Sequence, residues 1–137
     1  MKVALDTNVL VSAFATRGLC ADLLHVILAE HQLIVGATVL TELRRVLRDK
    51  IKAPAEIIQE TDAFLRSEAL VIERAPVLAV KLRDKSDIPV LAEAVGGGAN
   101  VLVTGDRDLL DIASNAPLRI LTPRGFWEQL RIEPTHG

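Results

Sequence analysis

Short apolar runs rich in β-branched residues alternate with longer stretches of helical period along nearly the whole chain, and this alternation leaves few folds open. Residues 2–5, 32–35, 70–72, 100–104 and 119–121 read as strands. Residues 7–15, 19–29, a stretch from Val39, 55–67, a segment through about 95 with Ser86 as its N-cap, a short piece through Ile112, and 123–130 read as helices. Pro54 and Pro89 suit first turns, where proline costs nothing, and Gly96-Gly97-Gly98 stops the helix before it. Strands joined through helices need right-handed crossovers, which predicts an α/β protein: a three-layer α/β/α sandwich with a mostly parallel sheet. With 137 residues, 50% of them hydrophobic, and no repeat or linker, residues 1–137 are expected to form one domain.

Composition removes several function classes. A net charge of -2 gives no global basic field, so any nucleic-acid contact must rest on a local patch. Arg44, Arg45 and Arg48, with Lys50 and Lys52, form one such patch; Lys81, Arg83 and Lys85 form another. Three Phe, one Trp and no Tyr leave little for stacking bases. Cys20 is alone, which rules out an intramolecular disulfide and a thiolate zinc site and fits a reducing compartment. Asp6 interrupts the opening apolar run, and no later run approaches the roughly 20 residues of a membrane span, so a soluble cytoplasmic protein is expected. His25, His31 and His136 lack metal-ligand spacing. The glycine triplet follows a helix, unlike a phosphate loop, which follows a strand.

Four carboxylates stand where packing alone would not put them. Asp6 ends the first strand and Asp106 lies just past the fourth, both at carboxyl ends, where ligands of open parallel sheets bind. Glu42 falls within the apolar stripe of Val39, Leu43, Val46 and Leu47, and Asp87 shares a face with Val90, Leu91 and Ala94. Each has a plainer role: Asp6 and Asp106 can cap helices, Glu42 can pair with Arg45 or reach water, and Asp87 suits a helix dipole. Together they predict a site for Mg2+ or Mn2+, since converging carboxylates are tolerable once a hard cation neutralises them. No Ser/His/Asp or Cys/His arrangement competes.

Leu5-Asp6-Thr7-Asn8-Val9-Leu10, Thr41-Glu42-Leu43, Asp87 before Leu91-Ala92-Glu93-Ala94, and Val103-Thr104-Gly105-Asp106-Arg107-Asp108-Leu109 together resemble the PIN-domain family, and within it the VapC-type toxin ribonucleases of toxin–antitoxin operons. The resemblance runs from Met1 to Thr122-Pro123. It implies a PIN-like sandwich, Mg2+ or Mn2+ in an acidic pocket, endoribonuclease activity on RNA, frequent homodimers, and a small antitoxin that blocks the site. By the same resemblance, Asp6, Glu42, Asp87 and Asp106 are the catalytic, metal-binding acids, Asp108 is an accessory ligand, and Asn8, Ser12 and Thr104 support them. Lys85-Ser86 stands where such relatives often carry Pro and further acids.

Two other functions fit parts of the pattern. In a haloacid-dehalogenase-like phosphatase, Asp6 would be the nucleophile, with Asp106 and either Asp108 or Asp111 binding Mg2+. That scheme leaves Glu42 and Asp87 unused and wants an acid where Asn8 stands. The chain could also be an inactive module that binds RNA or protein without cutting.

Overall fold

The computed structural model describes residues 1–78 and 80–132. Its elements run β1 (Lys2–Leu5), α1 (Thr7–Ala15), α2 (Leu19–Glu30), β2 (Gln32–Gly36), α3 (Ala37–Asp49), α4 (Ala55–Glu68), β3 (Leu70–Ile72), α5 (Asp87–Gly96), β4 (Val101–Val103), α6 (Arg107–Asp111), a 3₁₀ turn (Ala113–Asn115), β5 (Arg119–Leu121) and α7 (Pro123–Ile132). The five strands pair in the order β3-β2-β1-β4-β5, all parallel. The expected α/β sandwich with a parallel sheet is what forms. Among the described residues no single helix is long and apolar enough to cross a membrane.

Alternation along the strands divides the core in two. Val3, Leu5, Leu33, Val35, Val101 and Val103 face a cluster with Leu10, Leu23, Ile27, Leu40, Leu43, Leu65 and Phe126, from α1, α2, α3, α4 and α7. Ala4, Ile34, Leu102 and Ile120 face the other way, against Leu91 and Ala94 of α5 and Leu109 of α6. Chain order reverses between β1 and β4, so the crevice at their carboxyl ends is the switch point where such sheets bind ligands.

The end of α5 shows how local chemistry enforces this layout. Ala99 N–H reaches Ala94 C=O and Gly98 N–H reaches Val95 C=O, both at 3.0 Å, with Gly98 at φ 74°. This is a Schellman closure, whose left-handed position favours glycine. It turns the chain directly into β4.

Sequence and structure part in three places. Ser86 holds the N-cap position of α5, as expected, but its side chain makes no capping bond: it is itself in the helical region, and its hydroxyl binds Asp84 Oδ1 at 2.6 Å. The turn leading in is made by Asp87 N–H to Asp84 C=O and Ile88 N–H to Lys85 C=O, which leaves the serine nothing to cap. The fourth strand is shorter than residues 100–104, because Asn100 turns its side-chain oxygen to the Lys2 N–H at 2.7 Å and Thr104 is diverted toward the site. Pro54 sits at the N-cap of α4 with extended ψ, one position before the first turn.

Gly97 closes α5 against the sheet. A Cβ there would fall 2.8 Å from both Ile34 Cγ2 and Ile72 Cγ1. Gly97→Ala is expected to cost about 1–3 kcal/mol through overpacking. Urea unfolding measures it, and an unchanged midpoint would reject the tight contact.

Candidate metal centre

Two strand ends build the floor of the site. Asp6 follows β1, its N–H bonded to Val103 C=O at 3.0 Å, so the end of β1 is tied to the end of β4. Its carboxylate is 7% exposed: Oδ1 accepts from the Thr7 N–H and Oδ2 from the Thr104 hydroxyl, each at 2.7 Å. Thr104 is fully buried, and its Oγ1 accepts the Asp106 N–H at 2.9 Å, so one hydroxyl links the two strand-end acids. Burial raises the Asp6 pKa, the bonds from Thr104 and Thr7 oppose that, and the charges of Asp106 and Glu42 raise it further.

Above this floor, Asp87, Asp106 and Asp108 each bring a carboxylate oxygen within 4.8 Å of the others. Asp106 caps α6, its Oδ1 accepting from the Asp108 and Leu109 N–H groups at 2.8 and 3.3 Å. The plain capping role and membership of the acidic group therefore fall to one side chain. Asp87 opens α5 and is buried, and its Oδ2 has no hydrogen-bond partner. Burial first, then the charges of Asp106, Asp84, Asp6 and Asp108, push its carboxyl up to about 7. A buried, unsatisfied carboxylate oxygen among like charges is the environment that a hard cation relieves. The donor set, all carboxylate oxygens, fits Mg2+ or Mn2+ and does not suit zinc held by thiolate or imidazole.

Glu42 lies at the edge of the α3 stripe, half-buried, and Leu40, Leu43 and Leu47 form the buried centre. Its Oε2 accepts from the Thr7 hydroxyl at 2.8 Å. Thr7, whose N–H serves Asp6 and whose hydroxyl serves Glu42, joins these two acids; its place directly after Asp6 marks an oxygen-bearing side chain at the strand end, but not the bond to Glu42. Asn8 is exposed on α1. Ser12 is half-buried, with its hydroxyl 3.3 Å from that of Thr16. Arg83 Nε approaches Asp108 Oδ1 at 3.9 Å, from a strongly exposed side chain that yields readily to a stronger cation.

Of the other sequence candidates, Arg44, Arg45 and Arg48 line a surface depression of about 350 Å³ with Thr41 and Ile58. Arg44 is 3.9 Å from Asp62, and Arg48 binds its neighbour Asp49 at 2.7 Å. His31 sits 3.2 Å from the N-terminal amine, with burial lowering its pKa. His136 lies outside the described residues.

Because the folded pKa of Asp87 exceeds the ordinary 3.8, folding binds its proton more tightly. The stabilising effect is complete below about 3.8 and is lost as pH rises through about 7. Without divalent ions, wild type should lose at least about 1 kcal/mol more stability than Asp87→Asn between pH of about 4 and about 7. Thermal denaturation across that range tests this, and parallel profiles would contradict it.

Comparisons with known proteins agree with this architecture. The sequence matches the PIN domain over residues 2–108. Three solved structures share the fold. The crystal structure of VapBC2 from Rickettsia felis, bound to a DNA fragment from their promoter, aligns at TM-score 0.60 and 19% identity, over 88% of this chain and 97% of that one. VapBC-1 from nontypeable Haemophilus influenzae aligns at 0.65 and 15%, over 90% and 99%. FitAcB from Neisseria gonorrhoeae aligns at 0.59 and 17%, over 89% and 98%. No curated protein sequence matches the chain. The match over residues 2–108, on a parallel sheet that brings Asp87, Asp106 and Asp108 together at its switch point, places this chain in the PIN domain family.

Proposed function

We propose that this chain is a divalent-cation-dependent endoribonuclease and the toxin of a toxin–antitoxin pair. The observation that carries the reading is the buried Asp87 oxygen without a partner, on a side chain grouped with Asp106 and Asp108 and within reach of the charge of Asp6, which in turn feels Glu42. In this reading Asp87, Asp106 and Asp108 hold the cation, and Asp6 and Glu42 complete its acidic surroundings. A bound Mg2+ or Mn2+ supplies water of lowered pKa and offsets charge on the phosphoryl oxygens.

The protein's own part is placement and electrostatics. Thr104 and Thr7 hold Asp6 in one orientation, and Thr7 does the same for Glu42. Asn8, exposed on α1, is free to meet substrate, and Ser12 is assigned a supporting role on the same helix. Arg44, Arg45 and Arg48 bind backbone phosphates as point contacts, the mode open to a chain poor in aromatics. The acidic pocket repels phosphate until a cation enters, so cleavage depends on that cation.

The VapBC and FitAcB names of the similar structures support an antitoxin partner, which we take to be a small protein that covers the acidic mouth. A homodimer in the cytoplasm completes the proposal. The phosphatase scheme is weaker, because both oxygens of its would-be nucleophile Asp6 already accept hydrogen bonds.

Antitoxin-free protein should cut RNA with Mg2+ or Mn2+ and stop with EDTA. Asp6→Asn and Asp106→Asn should each lower the rate at least ~100-fold while remaining folded. RNA bound but uncut in either ion would favour the binding module, and phosphate released from a monoester would favour the phosphatase. Separately, Arg44→Ala with Arg45→Ala should weaken RNA binding and flatten its salt dependence by about one to two units of log–log slope. An unchanged slope would remove this patch from the interface.

A further inference from the structure

α3 starts without a cap of its own. Gly36 holds the N-cap position and has no side chain to offer the free N–H groups of the first turn. Glu93, seven residues into α5 and only 7% exposed, fills that role from the neighbouring helix. Its Oε1 accepts the Thr38 N–H at 2.8 Å and its Oε2 accepts the Thr38 hydroxyl at 2.5 Å. Gly36 is what lets it in: a Cβ there would overlap Oε1 and fall 2.7 Å from the Glu93 Cβ. A carboxylate at a helix N-terminus also gains from the macrodipole, which suits a buried acid that forms no ion pair among the described residues.

The placement matters because of what the two helices carry. Thr38 and Glu42 are four residues apart on one face of α3, and α5 begins at Asp87. Glu93 thus fastens one acid-bearing helix to the other. We infer that Glu93 is a positioning residue for the metal centre, fixing α3 against α5 so that Glu42 is held in register with Asp87. The inference rests on the cation-site reading. Glu93 itself touches neither the acids nor substrate.

The test is Mn2+ titration by calorimetry, well below the melting temperature, with amide exchange as an independent readout. Glu93→Ala should weaken Mn2+ binding ~10-fold, in the range of lost outer-shell partners, and speed exchange at Thr38 and along the turn to Glu42. Glu93→Gln, which can still accept the N–H and meet the hydroxyl with its amide, should recover most of the affinity. In a Glu42→Ala background the Glu93→Ala effect on Mn2+ should vanish, because the route through Glu42 is gone. An unchanged Mn2+ affinity, or the same loss in both backgrounds, overturns the inference while leaving the metal reading intact. Wild type that binds no Mn2+ would overturn the metal reading and with it the positioning role, although a faster Thr38 exchange would still show the cap. If Glu93→Ala does not fold, Thr38→Val removes one of the two bonds and is judged by the same criteria.

Discussion

The pairing of β1 with β4 at the middle of the sheet is the constraint on which the site depends. It runs opposite Val3 with Val101 and Leu5 with Val103, and ends in the Asp6 N–H to Val103 C=O bond. Past that point the chain leaves β1 into α1 and leaves β4 through Thr104 and Gly105 into α6. Two acidic side chains are thereby fixed at one crevice by backbone that is buried on both faces. The Thr104 hydroxyl, donating to Asp6 and accepting from the Asp106 backbone, makes their separation a property of the sheet and not of side-chain rotamers.

Such crowding opposes folding, and the molecule offsets it locally. Asp106 caps α6, Asp6 takes a backbone N–H and a hydroxyl, Glu42 takes a hydroxyl, and Asp87 is left to hold a proton over most of the acidic range. Charge-assisted bonds to N–H and O–H groups are the strong ones, and they are made to the acids nearest the sheet. The unsatisfied oxygen falls on the acid that approaches from another helix. Relief from outside the polypeptide has most to offer there.

Much of this was legible in the linear order of residues. Strand ends are marked by Asp6 and by Thr104-Gly105-Asp106, and the 3.6-residue period puts Asp87 with Val90, Leu91 and Ala94, so the acids and their common side could be named. Ser86 marks the helix start by its place in the sequence, but its hydroxyl goes to Asp84, a competitor two residues away, and not to the helix. Asp108 stands in the close group with Asp87 and Asp106, its backbone N–H held by the Asp106 cap only two residues before it. Thr7 shows in the sequence only as a hydroxyl beside Asp6, and Glu93 leaves no local trace of its role: the partners that define them stand 35 and 55 positions away, and only the folded sheet brings them near.

The sheet is bordered by β3 and β5, and each is only three residues long. Neither border exposes enough free backbone to recruit a foreign strand, which guards a Val- and Leu-rich chain against edge-to-edge aggregation. The helices on either face of the sheet, and not its borders, thus offer the broader surface for contact with another protein.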